Sequence, residues 1–261
     1  MIKQTYHRIV VKVGSSTLTH AQGGLNLRRI DRLAMVLSDI KNSNHEIILV
    51  SSGAVAAGAA KLALQKRPTL MKEKQAAASI GQCELMFLYD KMFSQYGQVV
   101  SQLLLTKTVL TNETLRENAT NTLSTLLSYG VIPIVNENDS VAVDEIAYGD
   151  NDTLSAVTAS IIHSDLLILL SDIDGLFDDD PTLNPNAKLI HEVKGIDESL
   201  KSLAKDSSGK VGTGGMITKL LAAEIALNNH MDMVIANGEN PDILYDILNG
   251  SARCTKFIGK K

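Results

Sequence analysis

Residues 9–60 read IVVKVGSSTLTHAQGGLNLRRIDRLAMVLSDIKNSNHEIILVSSGAVAAGAA. The β-branched run Ile9-Val10-Val11-Lys12-Val13 stops at Gly14-Ser15-Ser16-Thr17, the pattern of a buried strand entering a small-residue turn. Behind Asn26, Leu27, Ile30, Leu33, Ala34, Leu37 and Ile40 recur at spacings of three and four, which predicts a capped amphipathic helix. Ile47-Ile48-Leu49-Val50 is a second strand, followed at once by Ser51-Ser52-Gly53 and the small-residue run Ala54 to Ala60. Strand, helix, strand, turn and helix in this order predict a parallel sheet. In such sheets ligands sit at the carboxyl ends of the strands.

The remaining chain repeats the alternation. Lys72 to Tyr96 predicts a long helix with Ala76, Ile80, Cys83, Met86, Phe87 and Met92 toward the core, weakened or bent at Gly81. A third strand runs through Leu103-Leu104-Leu105, and Thr111-Asn112 caps a helix carrying Leu115, Ala119, Leu123, Leu126 and Leu127. Val131 to Val135 is a fourth strand, Thr153 to His163 a helix, and Leu166 to Leu170 a fifth strand. Asp174-Gly175, Asp180-Pro181 and Asn184-Pro185 mark 172–187 as a loop or hairpin. Val193 to Lys205 predicts a short helix, 206–215 a Gly/Ser-rich loop, Met216 to Asn228 a helix, Met231 to Ala236 a strand and Asp242 to Leu248 a last helix. With no internal repeat or linker, one α/β domain over 1–261 is expected, a three-layer α/β/α sandwich on a mostly parallel open sheet.

Composition narrows the function. Aromatics are 4% of residues and Trp is absent, so a base- or sugar-stacking surface is disfavoured. The net charge of −4 leaves no electrostatic footprint for nucleic acid. Cys83 and Cys254 lie far apart, as two buried or inert thiols in a reducing compartment would. The N-terminal apolar run is short and interrupted by Lys12, and no run reaches the roughly 18 apolar residues of a membrane span. A cytoplasmic protein without membrane or nucleic-acid partners is expected. The six histidines form no metal-ligand motif, so no protein metal site is assigned.

Four stretches follow predicted strands. Lys12-Val13-Gly14-Ser15-Ser16 suits a phosphate approached by backbone amides and a cation, or a plain turn with Lys12 reaching solvent. Ser51-Ser52-Gly53-Ala54 offers hydroxyls and helix N-terminal amides to a carboxylate, or an ordinary N-cap. Asn136 to Asp152, NENDSVAVDEIAYGDND, holds six acidic residues among seventeen with no Lys or Arg. It suits an amine-bearing ligand, although Asp150 or Asp152 could also cap the helix that follows. Gly212-Thr213-Gly214-Gly215-Met216-Ile217-Thr218-Lys219 enters a helix with glycines first and a lysine in the opening turn, which suits a nucleotide phosphate. It matches neither a Walker A nor a dinucleotide fingerprint.

Taken together, Lys12 to Ser15, Ser51 to Gly58, Lys74 to Ala78, Asn136 to Asp139, Gly149 to Asp152, Asp174 to Leu176 and Gly212 to Lys219 resemble the glutamate 5-kinase family in order and spacing. The resemblance covers about Ile9 to Phe257. It implies the amino acid kinase fold and transfer of the γ-phosphoryl of ATP, with Mg²⁺, to the side-chain carboxylate of L-glutamate. The product, L-glutamyl 5-phosphate, enters proline biosynthesis. The resemblance places Ser52, Asp139 and Asn151 on glutamate, with Asn136 and Asp150 as secondary contacts. Lys12 and Lys219 would meet the transferring phosphoryl group, Asp152 would hold both lysines, and Ser171, Asp172 and Thr213 to Lys219 would bind the nucleotide. It further implies proline feedback inhibition and a homo-oligomer, dimer or tetramer. Departures are the lack of a PUA domain after Phe257, Ser171 where Thr is usual, and the acidic Asp178-Asp179-Asp180. A sister amino acid kinase acting on N-acetylglutamate or aspartate, or a non-catalytic sensor, are the alternatives. The acidic stretch favours a free amine, and the lysine pair favours catalysis.

Overall fold

A computed structural model describes residues 6–20, 23–106, 108–141, 151–198, 200–201 and 215–259. The strands are β1 (Arg8–Val13), β2 (Glu46–Val50), β3 (Val100–Leu105), β4 (Ile132–Glu137), β5 (Leu166–Ser171), β6 (Glu192–Val193), β7 (Asp232–Asn237) and β8 (Cys254–Phe257). They form one sheet in the order β3-β4-β2-β1-β5-β7-β8-β6, parallel except where β8 meets β7. The helices are α1 (Ser15–Leu18), α2 (Leu27–Asn42), α3 (Ala54–Lys61), α4 (Met71–Gln95), α5 (Thr108–Thr111), α6 (Glu113–Ser128), α7 (Asn151–Ile161), α8 (Met216–Asn228) and α9 (Ile243–Asn249). From β1 the chain winds through β2 toward one edge, then returns to place β5 on the other flank of β1. Ligands bind such sheets in the crevice beside that reversal.

The two-residue period of the central strands sorts their side chains into two layers. Ile9, Val11 and Val13 of β1 pack with Ile47 and Leu49 of β2 against α2, α4 and α9. Val10 packs with Ile48, Val50, Leu167 and Leu169 against α6, α7 and α8. Lys12 follows Val10 in this alternation, and its register neighbours are Val50 and Leu169. Its side chain therefore emerges beneath α7 and α8. A one-residue slip would move it to the opposite layer and expose residues whose burial stabilises by about 1.5–3 kcal/mol each. On β4, Ile132 and Ile134 face the α4 layer, so Asn136, two residues on, points the same way.

The expected caps are present: Asn26 accepts from the Arg29 amide at 3.1 Å and Asn112 from the Leu115 amide at 3.0 Å. The face of α4 differs from expectation. Ala76, Cys83 and Phe87 are exposed, Phe87 by 62%, whereas Ala77, Ala78, Gly81, Leu85, Leu88, Tyr89, Met92 and Phe93 are buried. The buried stripe is turned by about one residue because α3 lies almost in backbone contact. A Cβ on Gly81 would come within 1.8 Å of the Ala54 carbonyl oxygen, and one on Gly58 within 1.8 Å of that of Ala77. Gly81 thus permits the helix crossing and leaves α4 unbroken. Cys83 is exposed and Cys254 half-buried, so of the two expected alternatives, buried or inert thiols, burial does not hold.

At the far edge, Val193 belongs to β6, not to a helix, and a helical turn begins only after Asp197. Strand β8, absent from the sequence assignment, pairs antiparallel with β7. Phe177 bridges to Leu189, and the Asp180 carboxylate accepts from the Thr182 amide and hydroxyl, so Asp178 to Asp180 enter a turn within a hairpin-like loop. The expected loop at 206–214 lies outside the described residues.

Candidate active site

Asp152, only 1% exposed, occupies the first turn of α7 over the end of β1. Its Oδ1 lies 2.7 Å from Lys12 Nζ and its Oδ2 3.3 Å from Lys219 Nζ; the Thr218 hydroxyl donates to Oδ2 at 2.9 Å. Burial alone would raise this carboxyl. Lys12 and Lys219, with hydrogen bonds from Lys12 and Thr218, outweigh burial and hold it at about 2, below the ordinary 3.8. A carboxylate so engaged is not a helix cap, and Lys12, with 11% of its side chain exposed, does not reach out to solvent. The ensemble carries two cations on one anion. Its net positive charge, at the N-termini of α7 and α8, suits the oxygens of a phosphate.

Beside it, the ends of β2 and β4 build a polar wall. Asn151 Nδ2 donates to the Ser51 carbonyl at 2.7 Å, Ser52 Oγ at 2.8 Å and Asn136 Oδ1 at 2.9 Å. Asn136, 1% exposed, donates through Nδ2 to Gln82 Oε1 at 2.8 Å. The Ser51 hydroxyl pairs with the Tyr89 phenol at 2.8 Å, and burial pushes that phenol well above its usual range. Neither serine caps α3. That place belongs to Gly53, whose φ of 97° makes the turn without Cβ strain.

The wall bounds a cavity of about 320 Å³ lined on this side by Ser52, Glu137, Asp139 and Asn151, and elsewhere by Gly53 to Ala56, Arg67 and Lys74. The lining carries both signs of charge, as a zwitterion requires. Among the sequence candidates, the structure gathers Ser52, Asp139 and Asn151 on the cavity and puts Asn136 behind its wall. Asp150 and residues 142–149 lie outside the described residues. Sequence reasoning missed Arg67, Lys74, Gln82, Tyr89 and Glu137. Lys74 lay in a stretch already singled out but had no assigned role, and Gln82 and Tyr89 belong to a helix read only for its core.

On the other flank of the lysines, Ser171 closes β5 and its hydroxyl donates to Asp172 at 3.0 Å. Asp172 is exposed. Gly215 precedes α8 in extended conformation with no side-chain cap, Met216 packs half-buried against the core, Ile217 faces the surface, and Thr218 and Lys219 turn inward to Asp152. Thr213 and Gly214 lie outside the described residues.

The amino acid kinase family pattern matches residues 7–237. The glutamate 5-kinase of Clostridium perfringens is 52% identical over 258 residues, which cover 97% of this chain and 96% of that protein. That of Listeria welshimeri is also 52% identical, over 97% of this chain and 94% of its own length. The chain belongs to the glutamate 5-kinase branch of the amino acid kinase family. Two solved structures share the fold at low identity. The UMP kinase from Ureaplasma parvum has a TM-score of 0.65 at 14% identity and covers 98% of this chain and 100% of its own. The carbamate kinase from Giardia lamblia bound to AMP-PNP has a TM-score of 0.67 at 16% identity and covers 98% and 99%.

Proposed function

We propose that this protein transfers the γ-phosphoryl group of ATP to the side-chain carboxylate of L-glutamate, giving L-glutamyl 5-phosphate for proline biosynthesis. The observation that carries the proposal is a pair of lysines on one buried carboxylate beside a cavity lined with both charges. The family membership agrees with it.

Ser52, Asp139 and Asn151 hold glutamate, Asp139 taking the ammonium; Asn136 supports Asn151, and Asp150 is a further contact. Lys12 and Lys219 lie on the transferring phosphoryl group, and Asp152 offsets their mutual repulsion. Ser171, Asp172 and the segment Thr213 to Lys219 hold the nucleotide. In-line transfer spreads negative charge over the phosphoryl oxygens, so positioning and fixed cations supply most of the acceleration. The glutamate carboxylate is ionised near neutral pH and needs no general base.

Magnesium would arrive with the nucleotide. Among the described residues no three His, Cys, Asp or Glu are grouped to hold a metal, and Mg²⁺ is commonly bound through substrate phosphates with few protein ligands. When bound it neutralises phosphate charge.

Proline shares with glutamate an α-carboxylate and a charged amine, so it would compete for the same cavity as a feedback inhibitor. No described helix is long and apolar enough to cross a membrane; a cytoplasmic location is part of the proposal. A homo-oligomer is part of the proposal, and its native mass would settle the state.

The test is incubation with ATP and Mg²⁺ and a panel of acids, trapping acyl phosphate with hydroxylamine. Hydroxamate should form with L-glutamate and little with N-acetylglutamate or aspartate. Equal rates with all three would sink the substrate assignment.

A further inference from the structure

We infer that Gln82, which is outside the cavity lining, is a positioning residue for the acceptor substrate, bracing through Asn136 the arrangement in which Asn151 and Ser52 present their hydrogen-bonding groups. The inference rests on the proposed glutamate kinase activity and adds a residue to that same site.

Side-chain amides have two chemically distinct ends, and two backbone groups decide which way these point. The Ser51 carbonyl only accepts. Asn151, 2.7 Å away, must turn its nitrogen toward it. The Glu137 amide only donates, so Asn136 must turn its oxygen toward that amide, at 2.9 Å. Asn136 then has its nitrogen left, and Gln82 must answer with Oε1, at 2.8 Å. The chain from Gln82 through Asn136 and Asn151 to Ser52 therefore has one consistent polarity.

That polarity reaches the cavity as chemistry. Asn151 Nδ2 has two hydrogens and faces three acceptors, the Ser51 carbonyl, Ser52 Oγ and Asn136 Oδ1. Its donors are committed to the wall, and Oδ1 is the end it can offer to a cationic ligand group. Ser52 Oγ accepts from Asn151, so its own hydrogen is available to donate, and a carboxylate can only accept. The wall is thereby set to accept from an ammonium and donate to a carboxylate.

Gln82 is well placed to enforce this. Its neighbour Gly81 is held so closely against α3 that a Cβ there would lie 1.8 Å from the Ala54 carbonyl oxygen, so the backbone carrying Gln82 has little room to shift. Asn136 is 1% exposed. Without the Gln82 oxygen its nitrogen would lack an acceptor. Turning over would only set that nitrogen against the Glu137 N–H and Asn151 Nδ2, so Asn136 is unsatisfied either way and its oxygen loses its fixed place against Asn151.

The test compares Gln82→Met, similar in length but without the acceptor, with Gln82→Glu, which keeps an acceptor oxygen. For Gln82→Met the glutamate KM should rise on the order of tenfold, the factor for one buried hydrogen bond, with the ATP KM within about twofold. Gln82→Glu should stay within about threefold of wild type. In an Asn151→Ala background, Gln82→Met should add little, because its effect reaches the cavity through Asn151. If Gln82→Met does not fold, Gln82→Ser, too short to reach Asn136, takes its place. An unchanged glutamate KM, equal losses in the Met and Glu variants, a parallel rise in the ATP KM, or additivity with Asn151→Ala would each overturn the inference. A wild type that makes no hydroxamate from glutamate would instead remove the substrate assignment beneath it.

Discussion

Replacing Asp152 by Asn keeps the shape of the side chain and removes the charge that Lys12 and Lys219 share. Holding the carboxyl at about 2 in place of 3.8 corresponds to roughly 2.5 kcal/mol of preference for the ionised form. Removing one partner of a buried ion pair typically costs about 3–5 kcal/mol. The lysines would also repel by roughly 3 kcal/mol if about 6 Å apart at an effective dielectric near 20. These figures describe overlapping effects, and a loss of about 3 kcal/mol is the consistent expectation. For a chain of this size that lowers the melting temperature by roughly 6–12 °C.

The pH dependence has a fixed sign. Because the folded pKa is depressed, the contribution of Asp152 is fully present above about 4 and is lost as the pH falls toward 2. Urea unfolding of wild type and Asp152→Asn should therefore differ by a constant amount from about pH 5 to 7 and converge below pH 4. ATP should raise the melting temperature of the Asn variant more than that of wild type, since its phosphates supply the missing anion. Equal stability at pH 7, or a difference that persists unchanged to pH 2, would refute the assignment of the ion cluster.

Lys219→Ala should lower turnover by about 10²–10³, as loss of one preorganised charge donor does, while leaving the glutamate KM nearly unchanged; turnover near wild type would remove Lys219 from the phosphoryl group. Asp139→Ala should chiefly raise the glutamate KM in hydroxamate kinetics, and an unaltered KM would move the ammonium partner elsewhere. Gly81→Ala forces a methyl to 1.8 Å from the Ala54 carbonyl oxygen. The melting temperature should fall by about 10 °C or more, because overpacking typically costs 1–3 kcal/mol and a backbone clash more. A neutral change would mean that α3 and α4 are not so close.

Much of this architecture is legible in the sequence because strand burial and helix period are local signals. Ile9 to Val13 and Ile47 to Val50 are fully apolar apart from Lys12, and that exception marks the site. The failures are contacts that no local pattern carries. Bulky residues drew the expected core face of α4 toward Cys83 and Phe87, while the actual face is chosen by Gly81 meeting Ala54, 27 positions earlier. Strand β8 is four residues long and β6 two, too short for alternation to show. Gln82, polar and mid-helix, has no signature until β4 brings Asn136 to it.

The acidic stretch looked like one pocket, but Asn151 and Asp152 divide it. They are consecutive in the first turn of α7, and successive helical side chains diverge by about 100°. Asn151 accordingly turns to Ser51, Ser52 and Asn136, and Asp152 to Lys12 and Lys219. One helix terminus thus fixes both the wall that would hold the acceptor and the cations that would receive the phosphoryl group. Their Cα atoms are one peptide unit apart, about 3.8 Å, and the contacts each side chain makes leave little room to change the separation of wall and cations. Near-attack geometry requires reacting atoms about 3–3.5 Å apart, and a ruler of this stiffness can discriminate side-chain length. An acid one methylene shorter than glutamate could occupy the wall or reach the lysines, and not both. Aspartate should therefore bind as a competitor against glutamate while yielding little hydroxamate. Aspartate that neither competes nor reacts would show that the wall, not the spacing, excludes it.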